Sequence, residues 1–139
     1  MRIEHLMNRE VLTLSKERTL RDAWELMRMH RIRQIPVVED STLIGIVTDR
    51  DVRRALPSLF HGRNMDEFDR VLDSTTVERF MTKEPFTIKP TDSLRSALDL
   101  MLDHKVGGLP VVDDTKLVGI VTETDFLRLL RDRLLDDAD

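Results

Sequence analysis

Two stretches of the chain, Ile35–Leu56 (IPVVEDSTLIGIVTDRDVRRAL) and Leu109–Leu130 (LPVVDDTKLVGIVTETDFLRLL), repeat one pattern. Working outward from them, an offset of 74 positions aligns residues 3–56 with residues 77–130 without a gap, and 22 of the 54 pairs are identical. The chain is therefore an internal repeat. Because a copy of 54 residues is short for an independent domain, we expect the two copies to share one core.

A first helix is predicted in each copy by apolar residues that recur three and four positions apart. Thr19 and Ser93 immediately precede these stripes and are placed as N-caps. The stripes consist of Leu20, Ala23, Trp24 and Met27 in the first copy and of Leu94, Ala97, Leu98 and Met101 in the second.

A hairpin and a second helix follow each first helix. In the first copy, the β-branched runs Ile35–Val38 and Leu43–Val47 are joined by the polar segment Glu39–Thr42, which is typical of a turn. A helix then begins at about Asp49 or Arg50, and a short strand, Val11–Leu14, precedes the first helix. Each copy is thus predicted as β-α-β-β-α, an α/β fold of the α+β type in which an approximate two-fold axis relates the copies.

The predicted organisation has four parts. They are a first repeat (1–56), a linker (57–76), a second repeat (77–130) and the end of the last helix with an acidic tail (131–139). Asn64 and the apolar residues after it predict that the linker is partly helical. A little helix is expected at the head of each copy, at Ile3–Met7 and Val77–Met81.

The composition excludes several classes of protein. The chain contains no Cys, and its apolar runs are interrupted by Gly45 and Gly119 well before the roughly 18 residues that a membrane helix needs. We therefore expect a soluble, cytoplasmic protein with no membrane partner. The net charge of -4 provides no general attraction for nucleic acid. Residues 1–56 carry 11 basic and 9 acidic side chains and residues 57–139 carry 11 and 17, so any anion site should depend on arginines of the first half.

No enzyme signature is found in the sequence. Gly-rich nucleotide fingerprints, G-x-S-x-G and H-E-x-x-H are all absent, and we expect neither catalysis nor a metal centre. His30 and His104 fall near the ends of the two first helices, where a cation complements the helix dipole. The sequence therefore favours a binding or structural function.

The end of the GIVT strand is the candidate site in each copy. Thr48 and Asp51, and likewise Thr122 and Asp125, fall at the start of the helix that follows, where free amides attract phosphate. A carboxylate one turn along suits hydrogen bonds from ribose hydroxyls. The alternative is purely structural: the threonines cap the helices and the acids complement the dipole.

The chain resembles the cystathionine-β-synthase-type (CBS) domain, which occurs in tandem pairs called Bateman modules. The resemblance rests on the Pro-Val-Val strand and on two copies of the glycine-hydrophobic-hydrophobic-threonine-x-x-aspartate signature, GIVTDRD (Gly45–Asp51) and GIVTETD (Gly119–Asp125). The first copy, the linker length and Met81-Thr82 are most similar to small bacterial pairs related to acetoin-utilisation regulators. Those proteins often carry a further C-terminal domain, which we do not expect here.

The resemblance implies two adenine-nucleotide clefts, each completed by the other copy. The first would place Thr48, Arg50 and Asp51 opposite Pro85, Phe86, Gly107, Gly108 and Leu109. The second would place Thr122, Thr124 and Asp125 opposite Val11, Leu12, Arg33, Gln34 and Ile35.

The two clefts are predicted to be unequal. Arg33 supplies a cation to the second cleft where Gly107 and Gly108 supply none to the first, and these glycines are equally interpreted as a helix stop. Arg50 either reaches a phosphate or pairs with Asp49 or Glu39 on the surface. We therefore expect the cleft of Asp125 to bind a monophosphate more tightly.

The leading function is a regulatory module that binds an adenine nucleotide and acts on an unidentified partner protein. AMP is favoured as ligand over ATP, ADP and S-adenosylmethionine. The alternative is a structural dimerisation module with unoccupied clefts, and a nucleic-acid binder is disfavoured. A homodimer is expected because the last helix carries more apolar side chains than one buried stripe needs: Phe126, Leu127, Leu129, Leu130, Leu134 and Leu135.

Overall fold

The computed structural model describes residues 1–57 and 65–136, and the predicted role of Asn64 lies outside them. The described residues form helices and antiparallel strands, which confirms the α+β prediction. Among the described residues, no helix is long and apolar enough to cross a lipid bilayer. The elements are a 3-10 helix (Ile3–His5), α1 (Leu20–His30), β1 (Gln34–Glu39), β2 (Thr42–Thr48), α2 (Asp49–Ala55), α3 (Met65–Ser74), α4 (Val77–Phe80), β3 (Thr82–Lys83), α5 (Leu94–His104), β4 (Gly108–Asp113), β5 (Lys116–Thr122) and α6 (Glu123–Asp136).

Two compact units divide the chain. The central unit is Leu12–Pro85, and the terminal unit combines Met1–Val11 with Phe86–Asp139. The head segment of each sequence copy therefore packs with the other copy's helices and strands. In the central unit β3 pairs with β2, with Thr82 opposite Ile46, and in the terminal unit Asn8 pairs with Ile120. The compact units thus differ at their ends from the repeats read along the sequence.

The glycine of each GIVT pattern permits this close packing of the head segments. A Cβ at Gly45 would lie 2.7 Å from Met81 Sδ and 2.9 Å from the Thr82 carbonyl oxygen. A Cβ at Gly119 would likewise lie 2.7 Å from Met7 Sδ. The two methionines are repeat equivalents. In each unit, one Met side chain therefore packs against the glycine of the strand that carries the GIVT pattern, β2 or β5.

The first helices begin where the sequence predicts. Thr19 Oγ1 accepts the Asp22 amide at 3.2 Å, and Ser93 Oγ accepts the Ser96 amide at 3.1 Å. Both helices end on a residue in the left-handed region, with φ of 53° at Arg31 and 54° at Lys105. Gly107 and Gly108 are therefore not the helix stop that the sequence suggested, because the chain has already left the helix at Lys105.

The hairpin prediction is confirmed in both units. Strands β1 and β2 are antiparallel and joined by Asp40 and Ser41, whose φ values of 50° and 69° are both positive, as in a two-residue primed turn. Strands β4 and β5 pair in the equivalent register, and each hairpin has a register shift within its Val-Val pair. The second helix begins at Asp49, as expected.

The strand expected at Val11–Leu14 is reduced to one bridge. Leu14 donates to the Pro36 carbonyl and accepts from the Val38 amide, both at 3.0 Å, which forms a parallel bridge to Val37. Extending this ladder toward Leu12 would require an N–H at Pro36, and proline has none. Ile88 forms the equivalent bridge to Val111, where Pro110 imposes the same limit.

Each unit has its own cluster of buried side chains. The central cluster is built from α1, the first hairpin, α2 and the segment Leu72–Val77. In the terminal cluster Ile3 and Met7 lie among residues of the second copy. The head segments supply additional apolar side chains to these clusters. Each unit therefore buries more apolar side chains than the helices and strands of one sequence copy provide.

The helical part of the linker is held to α1 by ion pairs. Helix α3 occupies Met65–Ser74, and Arg21 Nε lies 2.6 Å from Asp73 Oδ1 while Arg21 Nη2 lies 3.0 Å from Asp69 Oδ1. The hydrogen bond from Arg21 lowers the pKa of the Asp73 carboxyl below its ordinary value of 3.8. Protonation of Asp73 therefore opposes the folded state.

We predict that the stabilisation lost in Asp73→Asn depends on pH. Because the pKa of Asp73 is lower in the folded than in the unfolded protein, the ion pair stabilises fully above the unfolded-state pKa and loses its effect as pH falls through the folded-state pKa. Urea unfolding of the wild type and D73N at a series of pH values measures the difference. The same substitution in an R21A background is the control, and there the stability difference should not depend on pH. If the difference shows the same pH dependence without Arg21 as with it, the ion pair is not its cause.

Candidate functional site

In the first copy, the junction between β2 and α2 is closed by a reciprocal pair of hydrogen bonds. Thr48 Oγ1 accepts the Asp51 amide at 3.1 Å, and Asp51 Oδ2 accepts the Thr48 amide at 2.9 Å. This arrangement is a capping box with Asp in the third helical position. Asp51 is only 8% exposed. Thr48 and Asp51 therefore cap helix α2, which is the structural role that the sequence left open.

A hydroxyl from β3 also binds the Asp51 carboxylate. Thr82 Oγ1 lies 3.0 Å from Asp51 Oδ2 and 3.1 Å from Oδ1. Sequence reasoning did not assign a site role to Thr82, although the offset of 74 already pairs it with a different residue, Asn8. Both oxygens of Asp51 are consequently engaged by the protein.

The equivalent junction between β5 and α6 is less closed. Asp125 Oδ2 accepts the Thr122 amide at 2.8 Å and the Thr122 hydroxyl at 3.3 Å. Here the hydroxyl donates to the carboxylate, whereas Thr48 Oγ1 accepts the amide one turn along. Asp125 is half-buried and Thr124 is exposed. The second junction therefore presents more of its carboxylate to solvent.

The segment before each hairpin lies against the junction of its own copy. The Arg33 carbonyl accepts the Asp49 amide at 2.9 Å, and Gln34 lies opposite Thr48 in the strand pairing. The Gly107 carbonyl accepts the Glu123 amide at 3.0 Å. The backbone of Arg33 is thus part of the Thr48 junction, because antiparallel pairing brings the two ends of one hairpin together. The contribution of its side chain to the cleft of Asp125 stays a prediction.

Arg33 and Arg50 near the first junction are exposed, and Arg50 lacks the surface partners expected for it. Asp49 pairs with Arg53 at 3.4 Å and Glu39 with Lys16 at 3.3 Å, so neither acid pairs with Arg50. Within residues 1–57 and 65–136, no ion pair involves Arg33 or Arg50. The first junction thus has the cations, and the second has the more open carboxylate.

The other predicted site residues separate into core and surface. Ile35 and Leu109 are fully buried, so their side chains pack the cores and only their backbone remains for a ligand. Pro85 and Val11 are half-buried, Leu12 and Phe86 are exposed, and Gly108 is buried at the start of β4. Phe86 stacks on His104, with ring centroids 4.0 Å apart and planes inclined by 20°. Leu12 and His30 cannot form the equivalent ring stack, since leucine has no ring.

A cavity of about 760 Å³ in the terminal unit contains none of the predicted site residues. It adjoins the turn of the second hairpin, at the opposite end from Thr122, and it is lined by Glu4, Arg9, Lys89, Asp92, Asp113 and Asp114 among others. The lining mixes both signs of charge and defines no ligand class. The described residues also contain no group of three His, Asp or Glu that could hold a metal ion.

Comparison with known proteins identifies the family. The family model described as "CBS domain" matches residues 3–58 and 77–132. The chain is 37% identical over 123 residues to the CBS domain-containing protein YhcV of Bacillus subtilis, covering 88% of this chain and 81% of that protein. Both copies are therefore matched by the family.

Solved structures share the fold over nearly the whole chain. The acetoin utilization protein AcuB from Vibrio cholerae gives a TM-score of 0.82 at 30% identity, covering 100% of this chain and 98% of that one. CBSX2 from Arabidopsis thaliana in complex with AMP gives 0.78 at 26% identity, covering 94% and 96%. The CBS domain pair of MJ0100, in complex with 5′-methylthioadenosine and S-adenosyl-L-methionine, gives 0.76 at 25% identity, covering 94% and 99%.

The two capping arrangements predict different costs of removing each threonine. Thr48→Ala removes a hydroxyl that caps a helix amide and should lower the free energy of unfolding by about 1 kcal/mol. Thr122→Ala removes a hydroxyl that only donates to Asp125 and should cost clearly less. Urea unfolding of the two variants at pH 7 measures both. Equal losses, or a larger loss for T122A, would contradict the difference between the junctions.

Proposed function

The chain belongs to the CBS domain family and carries two copies in tandem, and on that premise we propose that it is a regulatory module that binds an adenine nucleotide. The observation that carries the proposal is the junction of Thr122, Thr124 and Asp125, where a helix of 14 residues begins beside a half-buried carboxylate. The module acts on a partner protein when nucleotide occupies this site, and it thereby serves as an energy sensor in the cytoplasm. The function is regulatory rather than catalytic.

The junction offers a separate group to each part of a nucleotide. The start of α6 has amides that no helical carbonyl accepts, and together with the Thr124 hydroxyl they suit a phosphate. The Asp125 carboxylate suits the two ribose hydroxyls, because an ionised carboxylate accepts hydrogen bonds and cannot donate them. Phe86, expected from the sequence opposite Asp51, lies in the same compact unit as Asp125 and is exposed, and its ring suits an adenine ring by stacking.

Charge favours a ligand with few phosphates. Arg33 has its backbone at the first junction, and Gly107 takes the equivalent position at the second. A triphosphate would require more cations than the Asp125 junction provides, whereas a monophosphate can be held by amides and hydroxyls. AMP is therefore the favoured ligand over ATP and ADP, and S-adenosylmethionine is the further candidate. The AMP complex of CBSX2, 26% identical to this chain, supports the same ligand class.

We predict that AMP raises the melting temperature of the wild-type protein. A ligand at a concentration of 100 times its dissociation constant adds about 2.7 kcal/mol to folded-state stability. Asp125→Ala should remove most of the AMP-induced shift, because it deletes the ribose acceptor. Thermal denaturation with and without AMP measures the shift.

Asp132→Ala is the matched control, since it removes a carboxylate from the exposed part of the same helix. It should leave the AMP-induced shift unchanged. A wild-type protein that responds to no adenine nucleotide would refute the proposed function. An equal loss of response in D132A would show that general charge, and not the ribose contact, is responsible.

A structural dimerisation module is the second candidate, and the surface of α6 favours it. Leu127, Leu130, Leu134 and Leu135 are each at least 55% exposed, and the first three recur at helical spacing along one face. Phe126 packs on the core and Leu129 is half-buried. The predicted surplus of apolar surface is therefore present. Such a surface is typical of an interface between protein chains, and dimerisation is compatible with nucleotide binding.

We predict that the protein is a homodimer in which this leucine face is buried. Sedimentation at micromolar concentration should give a dimer for the wild type and a monomer for Leu130→Asp, since a buried unpaired charge opposes association. Met65→Asp, on the exposed surface of α3, is the control and should stay dimeric. A monomeric wild type would contradict the dimer; dissociation by both substitutions would contradict the role of the leucine face.

A further inference from the structure

Thr82 and Asn8 occupy the same place in the two units. Thr82 lies opposite Ile46 in the pairing of β3 with β2, and Asn8 lies opposite Ile120 at the equivalent bridge. The Met residues before them, Met81 and Met7, lie against equivalent glycines, where an added Cβ would be 2.7 Å from either Sδ. The bridge to the central strand is thus equivalent in the two units, and the two positions carry different side chains.

The two side chains make different hydrogen bonds. Thr82 Oγ1 donates to the Asp51 carboxylate, within 3.1 Å of both oxygens. Asn8 instead accepts the Glu10 amide on its own Oδ1 at 3.0 Å, a local turn of the kind that Asn favours. The Asn8 side chain therefore serves its own loop, and no described residue outside the Thr122 junction hydrogen-bonds to Asp125.

The carboxylates consequently differ in what they still offer a ligand. Asp51 is buried, with one oxygen held by both the Thr48 amide and Thr82 and the other held by Thr82. Asp125 uses one oxygen for Thr122, and its Oδ1 accepts nothing from the described residues. Because Asp51 is buried and the Thr82 hydroxyl bridges both of its oxygens, a ribose hydroxyl competes with Thr82 there, whereas Asp125 offers an oxygen that accepts no hydrogen bond from the described residues.

We propose that Thr82 is a specificity-determining residue that directs nucleotide to the site of Asp125 by occupying the carboxylate of Asp51. The protein then binds one nucleotide tightly per chain, and the first junction serves as a structural element. This inference rests on the proposed function and adds to it which of the two sites is used and the residue that decides it.

Calorimetric titration of the full chain with AMP tests the proposal. Thr82→Val keeps the shape of the side chain and removes the hydroxyl, so it should tighten AMP binding at the first site roughly tenfold or more and reveal a second binding event. Thr82→Ser keeps a hydroxyl and is the matched control. The reciprocal variant, Asn8→Thr, introduces the hydroxyl beside Asp125 and should weaken the wild-type event roughly tenfold.

Two further variants assign the binding events to their sites. Asp125→Asn should abolish the tight event of the wild type, and Asp51→Asn should abolish only the additional event that appears in T82V. Circular-dichroism melts establish that each variant is folded; if T82V does not fold, N8T gives the same test from the other site.

The outcomes separate this inference from the proposed function. If the wild type binds AMP but T82V and N8T bind it unchanged, the role of Thr82 is wrong and the nucleotide-binding function stands. If D51N and not D125N abolishes the tight event, the choice of site is wrong. If neither the wild type nor T82V binds AMP or any other adenine nucleotide, the proposed function falls, and this inference falls with it.

Discussion

The hydrogen bond between the segment that enters each hairpin and the helix that leaves it organises both halves of this protein. The Asp49 amide donates to the Arg33 carbonyl at 2.9 Å, and the Glu123 amide donates to the Gly107 carbonyl at 3.0 Å. Each bond satisfies the first free amide of a helix and closes the open end of an antiparallel pair. Because this bond fixes the register, it also fixes the positions of the threonine that ends the strand and of the aspartate one turn later.

Within this shared backbone, small side-chain differences give the two junctions different chemistry. The first has a complete capping box, a third hydrogen bond from Thr82 and two exposed arginines near it. The second has a hydroxyl turned toward its carboxylate, an exposed Thr124 and glycine in place of arginine. A duplicated domain can thus keep one junction for stability and leave the other available for a ligand, because stability and binding compete for the same carboxylate oxygens.

The sequence predicts the elements whose signals are local. Apolar spacing and capping residues locate α1 and α5, and the polar segment after Val38 locates the first hairpin turn. Interactions that depend on distant residues escape such reasoning. The hydrogen bond between Thr82 and Asp51 joins positions 31 residues apart, and the packing of Met7 against Gly119 joins the chain's beginning to its second copy.

The errors in the sequence interpretation have physical causes of the same kind. The strand before α1 shortens to a bridge because the missing N–H of Pro36 stops the ladder. Hairpin pairing also holds the backbone of Arg33 at Thr48, which the spacing of the motifs does not predict. In the structure, the preference for the Asp125 site rests on the free oxygen of Asp125 and not on the charge of Arg33.

The most direct measurement is a crystal structure of the protein grown with AMP. We expect electron density for the nucleotide with its ribose hydroxyls within hydrogen-bond distance of Asp125 and its phosphate at the start of α6, while Asp51 keeps its hydrogen bond from Thr82. A ribose bound at Asp51 with Thr82 displaced, or a nucleotide bound away from both aspartates, would contradict it.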